Sequence, residues 1–134
     1  MNQIDLQQRV AIITGGAQGI GFAVARRMLA SGAAVALWDI DAARLEQAHA
    51  SLADHGTVTS QVVELSDEAS VAAATAATLA SHGRIDILVN NAGITGGNGT
   101  TWELAPEVWR RVIEVNLVAP YLVCRAVVPN MIAA

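Results

Sequence analysis

The stretch VAIITGGAQGIG, residues 10–21, decides the fold. It opens with four consecutive apolar residues, which predict a strand buried on both faces of a parallel sheet. The glycines that follow let the chain turn with positive φ and start a helix, whose N-terminus offers free N–H groups and a positive dipole end. The stretch therefore predicts a strand, a phosphate-binding turn and a helix, with an ordinary glycine-rich turn as the alternative.

Three further apolar runs follow, and a helical pattern comes after each of them. The runs cover residues 34–38, 58–65 and 85–89, and they predict the second, third and fourth strands. The first helix is predicted to bury Ile20, Asp41 to cap the second helix, Gly83 to close the third and Pro106 to begin the last. Four βα units in one domain, residues 1–134, predict an α/β fold with a doubly wound parallel sheet between two layers of helices.

Composition excludes several classes of protein. The chain has 134 residues, a formal net charge of -4, 53% hydrophobic residues and 15% charged residues. Such a chain is too apolar to be disordered and too acidic to suggest a nucleic-acid partner. Because the apolar stretch 112–128 is interrupted by polar residues and no signal sequence is apparent, we expect no membrane association and a cytoplasmic location. The histidines lack metal-like spacing, so no metal site is predicted.

Asp39 is the second candidate for a binding residue. It ends the second predicted strand, where a carboxylate can accept hydrogen bonds from the ribose hydroxyls of a dinucleotide. Its negative charge would repel a 2′-phosphate, and neither Gln18 nor Ile40 supplies a cation that would attract one. This pattern favours NAD over NADP, and a helix cap or a solvated strand end is the alternative for Asp39.

These motifs resemble those of one family. Residues 14–21 resemble the TGxxxGxG signature of the short-chain dehydrogenases/reductases, residues 90–93 resemble their NNAG motif, and Asn116 resembles their helix asparagine. The likeness runs from residue 10 to residue 132 and is strongest to the sugar, sugar-acid and 3-oxoacyl-carrier-protein branch. It implies a Rossmann fold with strand order 3-2-1-4 and hydride transfer between a nicotinamide and a small polyol, sugar acid or 3-oxoacyl substrate.

The resemblance also implies a set of residues that bind the cofactor. Asn91 would contact its ribose, whereas Asn90 would be mainly structural. The family usually has aspartate where this chain has Glu64, which would accept a hydrogen bond from the adenine amino group unless it is simply an exposed strand end. The implied cofactor-binding residues are Gly15, Gln18, Gly19, Ile20, Gly21, Asp39, Glu64, Leu65, Asn91, Ala92 and Gly93.

Asn116 is the one residue of the catalytic relay that the resemblance implies. Pro120 lies four residues later and has no N–H, so the Asn116 carbonyl is expected to be free beside a kink and able to hold a water. A satisfied core asparagine is the alternative. The family's serine, tyrosine and lysine have no counterpart, because the sequence contains no lysine and Tyr121 is followed four residues later by Arg125.

Two expectations follow, one from the lack of counterparts for the catalytic serine, tyrosine and lysine and one from the last helix. The 134 residues are expected to be a cofactor-binding domain that stops before the catalytic serine and the Tyr-x3-Lys segment. We expect this domain to be inactive alone. The alternative is a nucleotide-binding module or an inactive fragment. Residues 112–128 are apolar nearly all round, which predicts a second cover for this helix. We therefore expect a homo-oligomer, a dimer or a tetramer, formed through the helix at residues 107–130.

Overall fold

A parallel four-stranded sheet forms the centre of the computed structural model, which describes residues 2–134. The strand order is β3-β2-β1-β4, as predicted. Each neighbouring pair is parallel, and Ile12 of the central strand lies opposite Ala36 on one side and Leu88 on the other. The strands are β1 (Val10–Thr14), β2 (Ala34–Asp39), β3 (Val58–Val62) and β4 (Ile87–Val89).

Helices follow every strand. A short 3-10 turn extends α2, and a π-helical turn, Glu114–Val118, joins α4 to α5. Asp41 accepts a hydrogen bond from the Arg44 N–H and so caps α2, as predicted, while Gly83 closes α3 with a φ of 77°. The helices are α1 (Gly19–Ala30), α2 (Ala42–Leu52), α3 (Glu68–His82), α4 (Pro106–Ile113) and α5 (Ala119–Ala133).

Alternation along the strands builds a core on each face of the sheet. Ile13, Val35 and Leu37 pack with α1 and α2 on one face. Ile12 and Trp38 pack with α3 and α5 on the other. This is the predicted three-layer arrangement, and the continuous apolar runs of β1 and β2 are explained because both faces of these strands are covered.

Two predicted strands are shorter than the apolar runs that announced them. The third was predicted to reach residue 65, but β3 ends at Val62 because the chain turns there: the Asp67 N–H donates to the Glu64 carbonyl at 3.1 Å. The fourth was predicted to begin at residue 85, but β4 begins at Ile87. Just before it, the Asp86 carboxylate accepts the Val10 N–H at 2.9 Å, in place of a backbone carbonyl. Register and strand order are unaffected.

The helical stretch 106–133 has two different faces. By length and composition alone it is long and apolar enough to cross a bilayer, a test that the core helix of a globular domain also passes. Ala119, Val123 and Val127 are fully buried, and the latter two pack in the core beside Trp38. One face of this stretch is therefore part of the domain's own core, whereas the opposite face is exposed.

Candidate functional site

The glycine turn at the carboxyl end of β1 is shaped by two different requirements. Gly15 and Gly19 have φ values of 63° and 57°, which favour glycine, and a Cβ added at Gly19 would meet nothing within 4 Å. A Cβ at Gly21 would overlap the Gly15 carbonyl oxygen and lie 2.5 Å from the Asn91 Nδ2. Gly21 therefore allows the helix to pack against the turn, whereas Gly19 leaves its outer side open.

The N-terminus of α1 lies directly behind this turn and is uncapped by any side chain. Gln18 occupies the N-cap position with extended backbone and makes no side-chain capping bond, and the first turn of the helix contains no acidic residue. The first N–H groups of the helix and its positive dipole end are thus available to an anion. Ile20, which the sequence placed on the buried face, is 76% exposed, so that part of the prediction was wrong.

Thr14 and Asn91 tie the turn to the end of β4. The Asn91 N–H and the Ala92 N–H donate to the Thr14 Oγ1 at 3.0 and 3.1 Å, and the Asn91 Nδ2 donates to the carbonyl oxygens of Thr14 and Gly15 at 3.1 and 3.2 Å. Asn91 therefore has the structural role that the resemblance implied for Asn90. Among residues 2–134, the exposed Asn90 side chain hydrogen-bonds only to the Cys124 Sγ, at 3.4 Å. A ribose contact by Asn91 stays a prediction.

Asp39 is held in place by two backbone N–H groups. Its Oδ2 accepts from the Ala17 N–H at 3.1 Å and its Oδ1 from the Asp41 N–H at 3.0 Å. The alternative in which Asp39 caps α2 is wrong, because Asp41 has that role. Each carboxylate oxygen of Asp39 keeps unused lone pairs, so the group can accept further hydrogen bonds without leaving its position.

Glu64 takes part in an ion pair that the sequence analysis missed. The Arg111 Nη2 lies 3.2 Å from its Oε1 and 3.3 Å from its Oε2, and the Ser66 hydroxyl donates to the Oε1 at 2.6 Å. The Ser66 hydrogen bond, and then Arg111, hold the pKa of the Glu64 carboxyl below its ordinary value despite partial burial. Glu64 is therefore half-buried and ion-paired just beyond the end of β3, and its contact with an adenine stays a prediction. Arg111 lies 47 positions away along the chain, and no local signal connects the two residues.

Asn116 lies in the π-helical turn and is exposed. Its Oδ1 accepts from the Ile94 N–H at 2.8 Å, and its Nδ2 donates to the Ile94 carbonyl at 2.7 Å. The side chain thus fixes the loop after β4, rather than lying in the core as the alternative proposed. Beside Pro120 the backbone forms a π-helical turn, in which the Ala119 N–H donates to the Glu114 carbonyl. The kink and the free Asn116 carbonyl stay predictions. The relay role of Asn116 stays a prediction.

One cavity of about 310 Å³ brings most of these groups together. Val63, Ile94, Arg111 and Val115 line it as well, and the sequence analysis did not assign them to the site. Gly19, Ile20, Gly21 and Asn116 are outside its lining, although Asn116 holds the lining residue Ile94. The predicted residues that line the cavity are Gly15, Gln18, Asp39, Glu64, Leu65, Asn91, Ala92 and Gly93.

The cavity and the glycine turn beside it together carry groups that suit a dinucleotide. A Cβ at Gly19 would meet nothing within 4 Å, so the space beside the first N–H groups of α1 is open. Free N–H groups at a helix N-terminus suit phosphates. The fixed Asp39 carboxylate suits hydroxyl groups. The site lies at the carboxyl ends of the strands, between β1 and β4, where the strand order reverses and ligands of open α/β sheets bind.

Comparison with known proteins identifies the family. The family model described as short chain dehydrogenase matches residues 9–134, and the chain belongs to this family. The 2-dehydro-3-deoxy-L-rhamnonate dehydrogenase (NAD(+)) of a Sphingomonas species is 42% identical over 124 residues, which are 92% of this chain and 49% of that protein. The chain therefore spans about half the length of this curated relative.

Solved structures agree with this assignment. NAD+-bound xylitol dehydrogenase matches with a TM-score of 0.93 at 30% identity, over 97% of this chain and 50% of that one. A metagenomic short-chain oxidoreductase in complex with NADP matches with a TM-score of 0.88 at 41% identity, over 96% of this chain and 58% of that one. Similar structures thus hold either form of the nicotinamide cofactor.

The roles of the two adjacent asparagines can be separated by stability. We expect Asn91→Ala to lower the free energy of unfolding by about 2 kcal/mol, because two carbonyl groups of the glycine turn lose their donor. Asn90→Ala, the matched control, is expected to change it by less than about 0.5 kcal/mol. Urea unfolding followed by tryptophan fluorescence measures both, and equal losses would contradict the assignment of the structural role to Asn91.

Proposed function

We propose that this chain is the cofactor-binding part of an NAD-dependent oxidoreductase that interconverts an alcohol and a ketone. The observation that carries the proposal is the cavity that joins the glycine turn, Asp39 and the loop after β4. The nicotinamide supplies the hydride acceptor or donor when the cofactor is bound. The residues described above would bind and orient it: the α1 N-terminus its phosphates, Asp39 the adenosine ribose, and Glu64 and Leu65 the adenine.

A matched pair of glycine variants tests whether the turn binds a dinucleotide. Gly19 and Gly83 both have positive φ and open space around them, but only Gly19 adjoins the site. Alanine at either position is expected to cost about 1 kcal/mol of stability through backbone strain. Gly19→Ala should also weaken NAD binding by at least about tenfold, or 1.4 kcal/mol, because the methyl group would occupy the phosphate position.

Gly83→Ala should leave NAD affinity within about twofold of the unmodified chain, because Gly83 ends α3 outside the cavity lining. A factor of two corresponds to about 0.4 kcal/mol. Isothermal calorimetry with NAD, together with thermal unfolding of both variants, separates binding from stability. If both variants bind NAD as the unmodified chain does, phosphates do not approach the turn at Gly19.

The preference for NAD rests on charge at the adenosine end of the cavity. Asp39 presents a fixed carboxylate beside Gln18 and Ile40, which are uncharged. A 2′-phosphate placed near this carboxylate would meet like charge, whereas ribose hydroxyls would donate to it. The NAD(+) in the name of the Sphingomonas relative supports the same choice, although the similar structures include an NADP complex.

Asparagine substitutions at positions 39 and 41 test this preference. Asp39→Asn removes the charge at nearly constant shape and is expected to lower the ratio of NADP to NAD dissociation constants by about tenfold. Asp41→Asn removes an equal charge outside the cavity lining and keeps a good helix cap, so the ratio should stay unchanged. Calorimetric titration with both cofactors gives the ratios, and equal affinity of the unmodified chain for NAD and NADP would refute the preference.

The proposed substrate class is based on the relatives, and the proposed cellular location is based on the composition of the chain. Small polyols, sugar acids and 3-oxoacyl compounds are the proposed substrates, since the Sphingomonas relative is named for a sugar acid and a similar structure for xylitol. A cytoplasmic location is proposed with them. A nucleotide-binding module without chemistry is the second candidate, since the cavity and its glycine turn would suit nucleotide binding alone. Turnover of NAD by this chain with an alcohol panel would exclude that second candidate.

We also propose that a second copy of the chain covers the exposed face of the helical stretch 106–133. Four large side chains recur there at intervals of four residues and are between 36% and 65% exposed: Trp109, Ile113, Leu117 and Tyr121. Burying such a stripe in a dimer or a tetramer would remove its apolar surface from water.

A charge placed in this stripe tests the assembly. We expect the unmodified chain to sediment as a dimer or larger species and Leu117→Glu to sediment as a monomer, because a buried carboxylate without a partner opposes association. Ala76→Glu adds the same charge on an exposed face of α3 and should leave the assembly intact. Analytical ultracentrifugation at micromolar concentration measures all three. An unmodified chain that sediments as a monomer would contradict the proposal.

A further inference from the structure

Arg111 connects α4 to the carboxyl end of β3 across the candidate site. Its Nη2 contacts both oxygens of Glu64, and its Nη1 lies 3.1 Å from the Ser66 Oγ and 3.4 Å from the Glu114 Oε2. Among residues 2–134, Arg111 is the one basic side chain that lines the cavity. Its side chain is 45% exposed and that of Glu64 is 36% exposed, so the pair is accessible to a ligand.

The donors around Glu64 are divided unequally between its two oxygens. The Oε1 accepts from the Ser66 hydroxyl at 2.6 Å, from the Ser66 N–H at 3.3 Å and from the Arg111 Nη2 at 3.2 Å. Within the described residues, the Oε2 accepts only from the Arg111 Nη2, at 3.3 Å. A carboxylate has about four lone-pair positions, two on each oxygen. The Oε1 is therefore saturated, whereas the Oε2 can accept one more hydrogen bond.

We propose that Arg111 and Ser66 are positioning residues that aim the Glu64 Oε2 at the 6-position of a bound purine and thereby select a 6-amino purine over a 6-oxo purine. This inference rests on the proposed function, since it concerns the adenine end of the same cavity. A 6-amino group donates a hydrogen bond to the carboxylate, whereas a 6-oxo group would place an acceptor against it. Two acceptors that face each other in a partly desolvated site repel and lose their water.

The clamp also compensates for the length of the glutamate side chain. Glutamate has one more rotatable bond than aspartate, so it loses more conformational freedom when a ligand fixes it. Ser66 and Arg111 restrict that freedom before any ligand arrives, because three donors hold the Oε1. The lowered pKa of Glu64 keeps the carboxyl ionised under mildly acidic conditions too, so it does not become a donor that could pair with a 6-oxo group.

The test compares NAD with nicotinamide hypoxanthine dinucleotide, in which a 6-oxo group and an N1–H replace the 6-amino group and the unprotonated N1 of adenine. Calorimetry with the full chain gives the ratio of the two dissociation constants, and the unmodified chain is expected to prefer NAD by at least about tenfold. Arg111→Met should reduce that preference to about threefold or less, and Arg111→Lys should restore part of it, because lysine can still donate to the Glu64 carboxylate. Arg110→Met, on the same helix but outside the cavity lining, should leave it unchanged.

Two further variants keep the test decisive. Ser66→Ala removes another donor to the Oε1 and should also reduce the preference, which covers the case that Arg111→Met does not fold. Glu64→Gln should abolish the preference, because its amide can donate to a 6-oxo group. Because each ratio is taken within one variant, a general loss of folded protein affects both ligands equally.

The outcomes distinguish this inference from the proposed function. If NAD binds but the preference survives in Arg111→Met and Ser66→Ala, the two residues do not position Glu64 and the inference is wrong. If the unmodified chain binds both dinucleotides equally, Glu64 does not read the 6-position and the inference is wrong while dinucleotide binding stands. If neither dinucleotide binds, the proposed function fails and the inference fails with it.

Discussion

The hydrogen bonds between Thr14 and the segment 91–92 are the constraint on which the rest of the site depends. A single buried hydroxyl accepts two N–H groups from the loop after β4, while the Asn91 amide donates back to the end of β1 and to the glycine turn. Two segments that are remote in sequence, residues 14–15 and 91–92, are thereby fixed at one edge of the sheet. Because Gly21 lies against the same amide group, the start of α1 is fixed as well.

Two carboxylates that line the cavity, Asp39 and Glu64, are held in place by groups of the protein itself. Asp39 is held by N–H groups of the glycine turn and of the start of α2. Glu64 is held by Ser66 and by Arg111, which crosses the cleft from α4. Such preorganisation lowers the entropic cost of recognising a polar ligand, since the side chains need not be ordered when it arrives. The two acidic groups thus act as fixed acceptors.

The helical stretch 106–133 has three roles, which cannot be told apart in its largely apolar sequence. One face completes the core over the sheet, the turn at Glu114–Val118 presents Asn116 to the loop after β4, and a third face carries exposed aromatic and aliphatic side chains. Pro120 has no N–H to donate at this point, and the helix widens locally into a π-helical turn. The distortion therefore coincides with the residue that orders the loop.

Much of the architecture could be predicted from local patterns. Continuous apolar runs, the Gly-x3-Gly-x-Gly turn and the caps at Asp41 and Gly83 identified four βα units, because strand burial and helix termination depend on nearby residues. The strand order followed only from the resemblance to the family. The position of Asp39 at the end of a strand likewise identified a carboxylate at the ligand edge. The ends of the third and fourth strands were predicted less accurately. Turns such as the one from Glu64 to Asp67 depend on hydrogen bonds rather than on hydropathy.

Only the tertiary structure decided which side chain meets which. The sequence by itself determined the fold, the glycine turn and most of the lining of the cavity, but not the pairing of Arg111 with Glu64 or the structural role of Asn91. These contacts join residues 47 and 77 positions apart. A short-range pattern reports secondary structure because its forces act within a few residues, whereas an ion pair across a cleft exists only once the sheet and helices have brought its partners within hydrogen-bond distance.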